Sequence, residues 1–542
     1  MLKKRLGSIL LTLALLVGLL PWTVMPARAR GGPEGAGKAI RLGADVLATG
    51  KNTADAATVW FGAKAENETT APIAWRVVGY GADDFTSDSA AGSMTLLAAG
   101  NIDQAQYAGS GSNAYADSTL KTKVDAIAGA FSAAEQAAVE ARTLARRSYI
   151  PVNTDWVSGT AVTGALLWPL STKEAVGVAE ELRRLDENSG RNLATDYWWL
   201  RSPGSDNDRA AVVLGYGTVH YPGENVSLEH GVRPAFYLKL SSVLFTSAAA
   251  GGKPAAANGG ISEIADYDGS AWKLTLLDES RSGFAVTETA ASAAPGGTIT
   301  LTYGGAATGA NEYVSLLLCD STGASVLRYG SSAALTSASG TASFTVPDDL
   351  ALGSYTLKVF NEQRNGDYKT DYASAFDEVT LSVKNPITPA VTLAGWTYGD
   401  VANTPSVSGN TDNGEVTFTY KVKGADDDTY TNAVPTAAGS YTVRATIAET
   451  ADYVGGTATA DFTITLVPSL ANGMVTAPQG ARLILAQYSG GRMTGMQSVT
   501  INADCADADA AKLLGVTLPT SGCKLMLVDG STYAPLCAAW EG

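Results

Sequence analysis

The sequence predicts a multidomain, strand-rich chain: an α+β head followed by all-β sandwich domains. Three observations carry this. The chain has 542 residues, more than one hydrophobic core usually holds. Helically spaced apolar residues with N-terminal caps are confined to a stretch before residue 183. From about residue 276 onward, apolar and polar residues alternate in short runs separated by Gly and Pro turns.

In chain order, the N-terminus reads Lys3-Lys4-Arg5, an apolar run from Leu6 to Leu20, Pro21, and Ala27-Arg28-Ala29. That is the order of a secretory signal, expected over residues 1–29. The apolar run falls short of the roughly 20 residues of a membrane span. The expectation is a chain secreted or associated with the cell surface, with no membrane span after signal cleavage. No Cys stands near the cleavage site to take a lipid. The end, Ala538 to Gly542, carries no hydrophobic tail or sorting motif, so surface attachment is expected to be non-covalent. Residues 30–38 are Gly-rich and read as a flexible linker.

Residues 39–244 read as the α+β domain. Strand-like runs occur at Thr58–Phe61, Ile73–Val78 and Met94–Leu97. A helix is expected from Thr119 to Phe131, with Leu120, Val124, Ile127 and Phe131 on one face. Ser132 with Glu135 forms a capping-box pattern for a second helix. A third is expected to start at Ser171 or Thr172, beside Glu174, and to run through Ala179 and Leu182. Strands follow at Tyr197–Leu200, Ala210–Leu214 and Val232–Leu240. Residues 245–275, rich in Ala and Gly, read as linker. Residues 276–385 read as a β-sandwich, with alternation at Thr298–Tyr303, Tyr355–Val359 and Val379–Val383. A second sandwich is expected over 386–467, and a small β-domain over 468–542.

Composition narrows function. Apolar residues make up 45% of the chain, enough for packed cores. Acidic residues outnumber basic ones 53 to 38, a formal charge of -15. Nucleic-acid partners are excluded, because phosphate binding needs Lys and Arg in excess. The four cysteines are Cys319, Cys505, Cys523 and Cys537. One disulfide is expected among the last three, with Cys505–Cys523 the leading pair. Cys319 follows the apolar run Val314–Leu318 and reads as a buried thiol.

Three segments resemble known families. Ile73–Val78, Phe131–Glu135, Tyr197-Trp198-Trp199-Leu200-Arg201-Ser202-Pro203-Gly204 and Gly231-Val232-Arg233-Pro234-Ala235 resemble an uncharacterised domain of exported proteins of gut Firmicutes. That domain is similar to the C-type-lectin-like fold, shared with formylglycine-generating enzymes, and to retroelement-diversified target proteins. The resemblance implies a C-type-lectin-like head with a variable surface between fixed motifs. Residues 391–466, with Tyr398-Gly399-Asp400, Ala438–Val443 and Glu449–Tyr453, resemble bacterial immunoglobulin-like repeats. The segments Leu483–Tyr488, Gly491–Met493 and Tyr533–Leu536 resemble a C-terminal β-module of exported proteins. Neither β-module resemblance implies catalysis.

The head's chemistry concentrates between Trp198 and Pro234. Trp198, Trp199 and Leu200 carry large apolar area and read as scaffold. Arg201 and Arg233, if buried, need partners. Pro234 forces Arg233 to be extended. Between these bookends lie the expected ligand-binding residues: Asp206, Asn207, Asp208, Tyr216, His220, Tyr221, Glu224, Asn225 and His230. Tyr supplies rigid contact area and Asn adaptable hydrogen bonds, and loops on a rigid scaffold carry binding residues. The expected partner is an extracellular protein or glycan.

No enzyme activity, metal or cofactor is expected. His220 and His230 lack HxH or HExxH spacing. The head has no cysteine for formylglycine-type oxidation. Gly109-Ser110-Gly111-Ser112-Asn113 lacks the nucleophile-elbow spacing. Asp426–Asp428 and the 504–509 region read as acidic turns without EF-hand spacing. Two alternatives stay open: an extracellular glycan hydrolase using paired carboxylates, and a structural envelope protein without a specific ligand.

Overall fold

The computed structural model describes residues 37–66, 69–81, 92–109, 111–145, 159–185, 196–254, 258–267, 269 and 271–542. The expected signal peptide and most of the 30–38 linker lie outside them. Strand is the dominant element, and the chain divides into two compact units. The first runs up to Ala291 and adds Thr298–Pro347 and Ser354–Leu381; the second is essentially Ser382–Gly542.

The first unit opens with β1 (Ile40–Leu42), β2 (Thr58–Glu66), β3 (Thr69–Tyr80), β4 (Ser93–Ala98) and β5 (Asp103–Gln106). Helices α1 (Thr119–Gly129) and α2 (Ala133–Ala138) follow, then β6 (Trp168–Pro169), α3 (Thr172–Gly177) and α4 (Glu180–Arg183). The chain continues through β7 (Trp198–Pro203), β8 (Arg209–Val213), β9 (Val219–Asn225), β10 (Glu229–Val232), β11 (Pro234–Lys239) and β12 (Val243–Ala248). Beyond these are β13 (Ala271–Leu277), β14 (Glu312–Cys319), β15 (Val326–Ser331), β16 (Gly353–Gln363) and β17 (Asp371–Ala373).

The helices follow their local sequence. Ser118 caps α1 by accepting from Lys121 N, and Leu120, Val124 and Ile127 are buried. At α2, Ser132 and Glu135 close a complete capping box; at α3, Ser171 and Glu174 do the same. The third helix, expected to run unbroken through Ala179 and Leu182, is instead two short helices. Val178 is extended (φ -76, ψ 136), splitting α3 from α4. The Asn52 side chain fills the break, donating to Gly177 O and accepting from Ala179 N, both at 2.8 Å. Lone backbone groups there are thus satisfied without helix.

The main core packs around Trp75, Phe61, Phe131 and Phe236. Trp75 meets Phe236 edge-on at 4.7 Å, and Phe61 stacks on Phe236 at 5.0 Å. Trp75 Nε1 donates to Phe61 O at 2.7 Å, so its one polar atom is paired.

The expected linker over 245–275 is corrected. It contains most of β12, the strand Ile261–Glu263 and the start of β13, with Ile261, Ile264, Trp272 and Leu274 buried. β13 pairs in parallel with β2 (Val59 opposite Trp272) and with β17 (Thr275 opposite Asp371). One sheet therefore runs β6-β11-β4-β3-β2-β13-β17-β16-β14-β15 and on to Ile261–Glu263. Strands of the expected head and of the first sandwich are joined edge to edge within this unit. The Ala-rich composition masked it, because the apolar residues that make β13 a central strand begin only at Trp272.

In the second unit, Val416–Val422, Gly439–Ile447 and Gly456–Thr465 form an antiparallel sheet over Tyr420, Val443, Ala445, Phe462 and Ile464. A further sheet pairs Arg482–Ser489 with Arg492–Thr500 and Cys523–Val528, over Leu483, Leu485, Leu525 and Leu527. All four cysteines are free thiols. Cys505 and Cys523 lie on strands of different sheets: Cys505 Sγ points to Val475 O, Cys523 Sγ to Pro519 O. The expected Cys505–Cys523 bond is absent. Cys319 is fully buried as expected, and burial pushes its thiol up to about 11.

Candidate functional site

The segment between the bookends builds a separate five-stranded sheet of order β9-β8-β7-β10-β5. Trp199 lies opposite Val212, and Val212 opposite His220. Trp198 lies opposite Val213, and Val213 opposite Val219. Successive strand residues face opposite sides, so Trp199, Val212 and His220 share one face. Glu224, opposite Ala210, joins them, because Ala210 and Val212 are two apart on β8. His220 Nε2 and Glu224 Oε1 are 4.0 Å apart. His230, on β10, packs 4.7 Å from the Trp199 ring and 5.3 Å from Tyr197.

Gly223 makes this grouping possible. On β9, four steps separate His220 from Glu224, against two steps from Val212 to Ala210 on β8. The slack is taken up in a bulge. There Gly223 adopts φ +75, and an added Cβ would sit 2.3 Å from Ala210 O. Gly223→Val is expected to cost about 2–3 kcal/mol through backbone strain and that clash. A thermal melt checks the loss, and an unchanged Tm would show that the bulge can be rebuilt.

The floor of the face is held firmly. Trp199 is fully buried, its Nε1 donates to Ala105 O at 2.9 Å, and Tyr107 meets its ring edge-on at 5.4 Å. Burial raises the Tyr107 hydroxyl well above its usual range, so it stays a neutral donor to Asn113 O and Arg201 O. His230 is half-buried, and its Nε2 is enclosed without a hydrogen-bond partner. Burial lowers the His230 pKa, and the nearby Glu224 charge offsets only part of this. The imidazole is therefore held neutral, with an unmet polar atom.

The other expected residues fall elsewhere. Asp206, Asn207 and Asp208 form the exposed turn between β7 and β8, at one end of the sheet. Asn113 fixes this turn: its Nδ2 donates to Asp206 O and Arg209 O, and its N–H to Asn207 O. Asn225 joins the turn through Nδ2 to Asp208 Oδ2 at 3.3 Å. Tyr216, 48% exposed, lies in the opposite hairpin turn between β8 and β9. Tyr221, next to His220 on β9, faces the other side of the sheet. So three of the nine expected residues gather with Trp199, four form the turn cluster, and two stand apart.

Behind the sheet, both bookend arginines are buried and hydrogen-bonded. Arg201 pairs with both carboxylate oxygens of Glu174, and Arg142 donates to Glu174 Oε1 at 2.8 Å. Arg233 donates to the carbonyls of Ala98, Ala99, Leu182 and Arg183 and lies 5.1 Å over Trp198. These contacts tie β7 and the start of β11 to β4, α3 and α4. Sequence reasoning named the arginines but missed Glu174 as the partner of Arg201. It also treated Trp199 as scaffold alone. Among the described residues, no group of three or more His, Cys, Asp or Glu converges in metal-holding geometry. Asp427 pairs with Lys421 at 2.5 Å in an exposed turn.

Residues 92–240 match the family described as a domain of unknown function, DUF6273. The matched stretch contains the whole five-stranded sheet, both bookend arginines and Glu174. No curated protein matches the chain. Among solved structures, it is similar to a tetra-tandem repeat in the extending region of a large adhesion protein. That match has 14% identity, covers 64% of this chain and 98% of that one, and has a TM-score of 0.17. The two tandem V-type regions of VCBP3, a v-region-containing chitin binding protein, match at 14% identity over 34% of this chain and 98% of that one (TM-score 0.12). Drosophila N-cadherin EC1-4 matches at 10% identity over 64% and 90% (TM-score 0.13). At such scores these likenesses carry no inference about fold or ligand.

Proposed function

We propose that this chain is an exported, adhesin-like binding protein. Its C-type-lectin-like head recognises an extracellular glycan or protein, and immunoglobulin-like β-modules carry the head. The observation that supports this best is the face formed by Trp199, His230, His220 and Glu224. A half-exposed His–Glu pair, on a face braced from beneath by the buried Trp199 and half-buried His230 rings, suits a ligand that hydrogen-bonds there. The signal-like N-terminus and the immunoglobulin-like pattern of residues 391–466 support export and surface display. The net negative charge argues against polyanionic ligands. Recognition without turnover is part of the proposal.

The test is binding of the purified chain to a glycan array and to an extracellular-protein panel. His220→Ala combined with Glu224→Gln is expected to weaken any hit at least about tenfold, the loss of one charge-assisted hydrogen bond. Tyr216→Ala, in the far hairpin turn, is expected to bind as the parent does. Equal binding by the double variant would move the site off this face. Product formation from any array polysaccharide would replace binding with hydrolysis.

A further inference from the structure

The first unit holds a second set of charged groups, away from the proposed binding face and independent of it. Lys253, just past β12, is buried, as are Lys273 on β13, Glu362 on β16 and Asp371 on β17. The register explains why they meet. Thr275 lies opposite Asp371, and Lys273 is two residues from Thr275 on the same face. Glu362 lies opposite Ala373, two residues from Asp371, again on that face. Lys253 Nζ donates to Glu362 Oε1 at 2.5 Å, to Asp371 Oδ2 at 2.6 Å and to Thr275 Oγ1 at 2.8 Å. It lies 4.6 Å over the Phe245 ring. Tyr329 Oη donates to the other oxygen of Glu362, and Lys273 Nζ reaches Asp371 Oδ2 at 2.7 Å. Asp371 Oδ1 accepts from Asn365 N at 2.7 Å.

Two ammonium groups and two carboxylates side by side in a core are costly to desolvate. A condensation would remove one charge of each sign and leave Lys273 paired against Glu362. We propose that Lys253 and Asp371 join covalently, through an amide between Lys253 Nζ and Asp371 Cγ, with Glu362 carrying the protons. Glu362 takes a proton from the Lys253 ammonium, and the neutral amine attacks Cγ. The Asn365 N–H stabilises the charge that develops on Oδ1. Oδ2 leaves as water with the two protons that Lys253 gives up, delivered through Glu362. One N–C bond forms, one C–O bond breaks, and nothing is oxidised or reduced. Fixed positions in a water-poor core supply the effective concentration that free amine and acid lack. The water has an exit: a cavity of about 250 Å³ is lined by Lys253, Lys273, Tyr313 and Arg364.

The bond would clasp residues 118 apart in sequence, tying the segment after the head's last strand to the sandwich strand β17. Such a clasp resists pulling, which suits a chain that holds its ligand under load.

Mass spectrometry of the denatured full chain tests this directly. The expected mass is lower than the sequence mass by one water, and a tryptic digest yields a branched peptide joining the Lys253 and Asp371 fragments. Asp371→Ala and Lys253→Met are expected to show the full sequence mass. Glu362→Gln is expected to be folded by circular dichroism yet mostly unlinked. The parent chain decides the matter even if a variant fails to fold. A parent at the full sequence mass, with the two fragments recovered separately, overturns the proposal. A branch mapped to Lys273 overturns the choice of nucleophile, and complete linkage in Glu362→Gln overturns the proton carrier.

Discussion

Glu174→Ala is expected to lower the stability of the first unit by about 3–5 kcal/mol, the usual penalty for breaking a buried ion pair from one side. The reason is geometric. Glu174 is buried and holds three partners: Arg201 in bidentate fashion, Arg142, and the Ser171 N–H of its own capping box. Without it, two guanidinium groups stay in the core with less than their charge balanced, and α3 loses half its cap. Arg142 is further fixed 4.6 Å over Trp168, so it cannot swing out to water without unpacking that ring. Urea unfolding followed by tryptophan fluorescence would read the change, since Trp75, Trp168, Trp198 and Trp199 are all buried nearby. A loss under about 1 kcal/mol would mean that the arginines find other partners.

The same carboxyl sets an acid limit. Burial alone would raise its pKa, but Arg201 and then Arg142 overcome burial and hold it at about 2. The unfolded value is near 4.5. A depressed acid favours folding at high pH: its contribution is complete above about 4.5 and fades as pH falls through about 2. The gap corresponds to about 3 kcal/mol by linkage. Melts at pH 7 and pH 3 are expected to differ less in Glu174→Gln than in the parent. An equal acid slope in both would remove Glu174 from this role.

What the sequence made legible was local. Ser132 with Glu135 and Ser171 with Glu174 announce helix starts because a capping box is written within four residues. Thr298–Gly304 announces a half-buried strand because its residues alternate between buried and exposed. Pairing was not legible. Alternation gives a face, never a partner, so nothing in Ala271–Leu277 says that it adds in parallel to Thr58–Glu66 some 200 residues earlier. The run from Val232 to Leu240, read as one strand, is two strands in two sheets. The break comes at Arg233, whose guanidinium turns to four backbone carbonyls. The candidate site was legible in the same partial way. Polar and aromatic types marked the right segment, but the bulge at Gly223 decides which of them meet, and a bulge has no sequence period.

Trp199 couples the scaffold to the proposed binding face, and its removal separates the two. Trp199→Ala is expected to cost about 3–5 kcal/mol, the range for emptying a buried aromatic site. Its Nε1 also leaves, and Ala105 O then loses a donor. The effect on His230 is the sharper prediction. That ring lies 4.7 Å from Trp199, and burial is the first cause of its lowered pKa. Opening the cavity lets water reach Nε2, so the His230 pKa is expected to rise back toward the ordinary histidine value. Trp199→Phe keeps a smaller ring under His230 and loses the N–H with part of the indole volume. It is expected to cost about 1–3 kcal/mol and to leave the histidine titration low. NMR titration of the imidazole protons follows both variants. If His230 titrates alike in the Ala and Phe variants, something other than the Trp199 ring keeps it dry. The floor of the proposed binding face would then have to be sought among Tyr197 and the strand β5 instead.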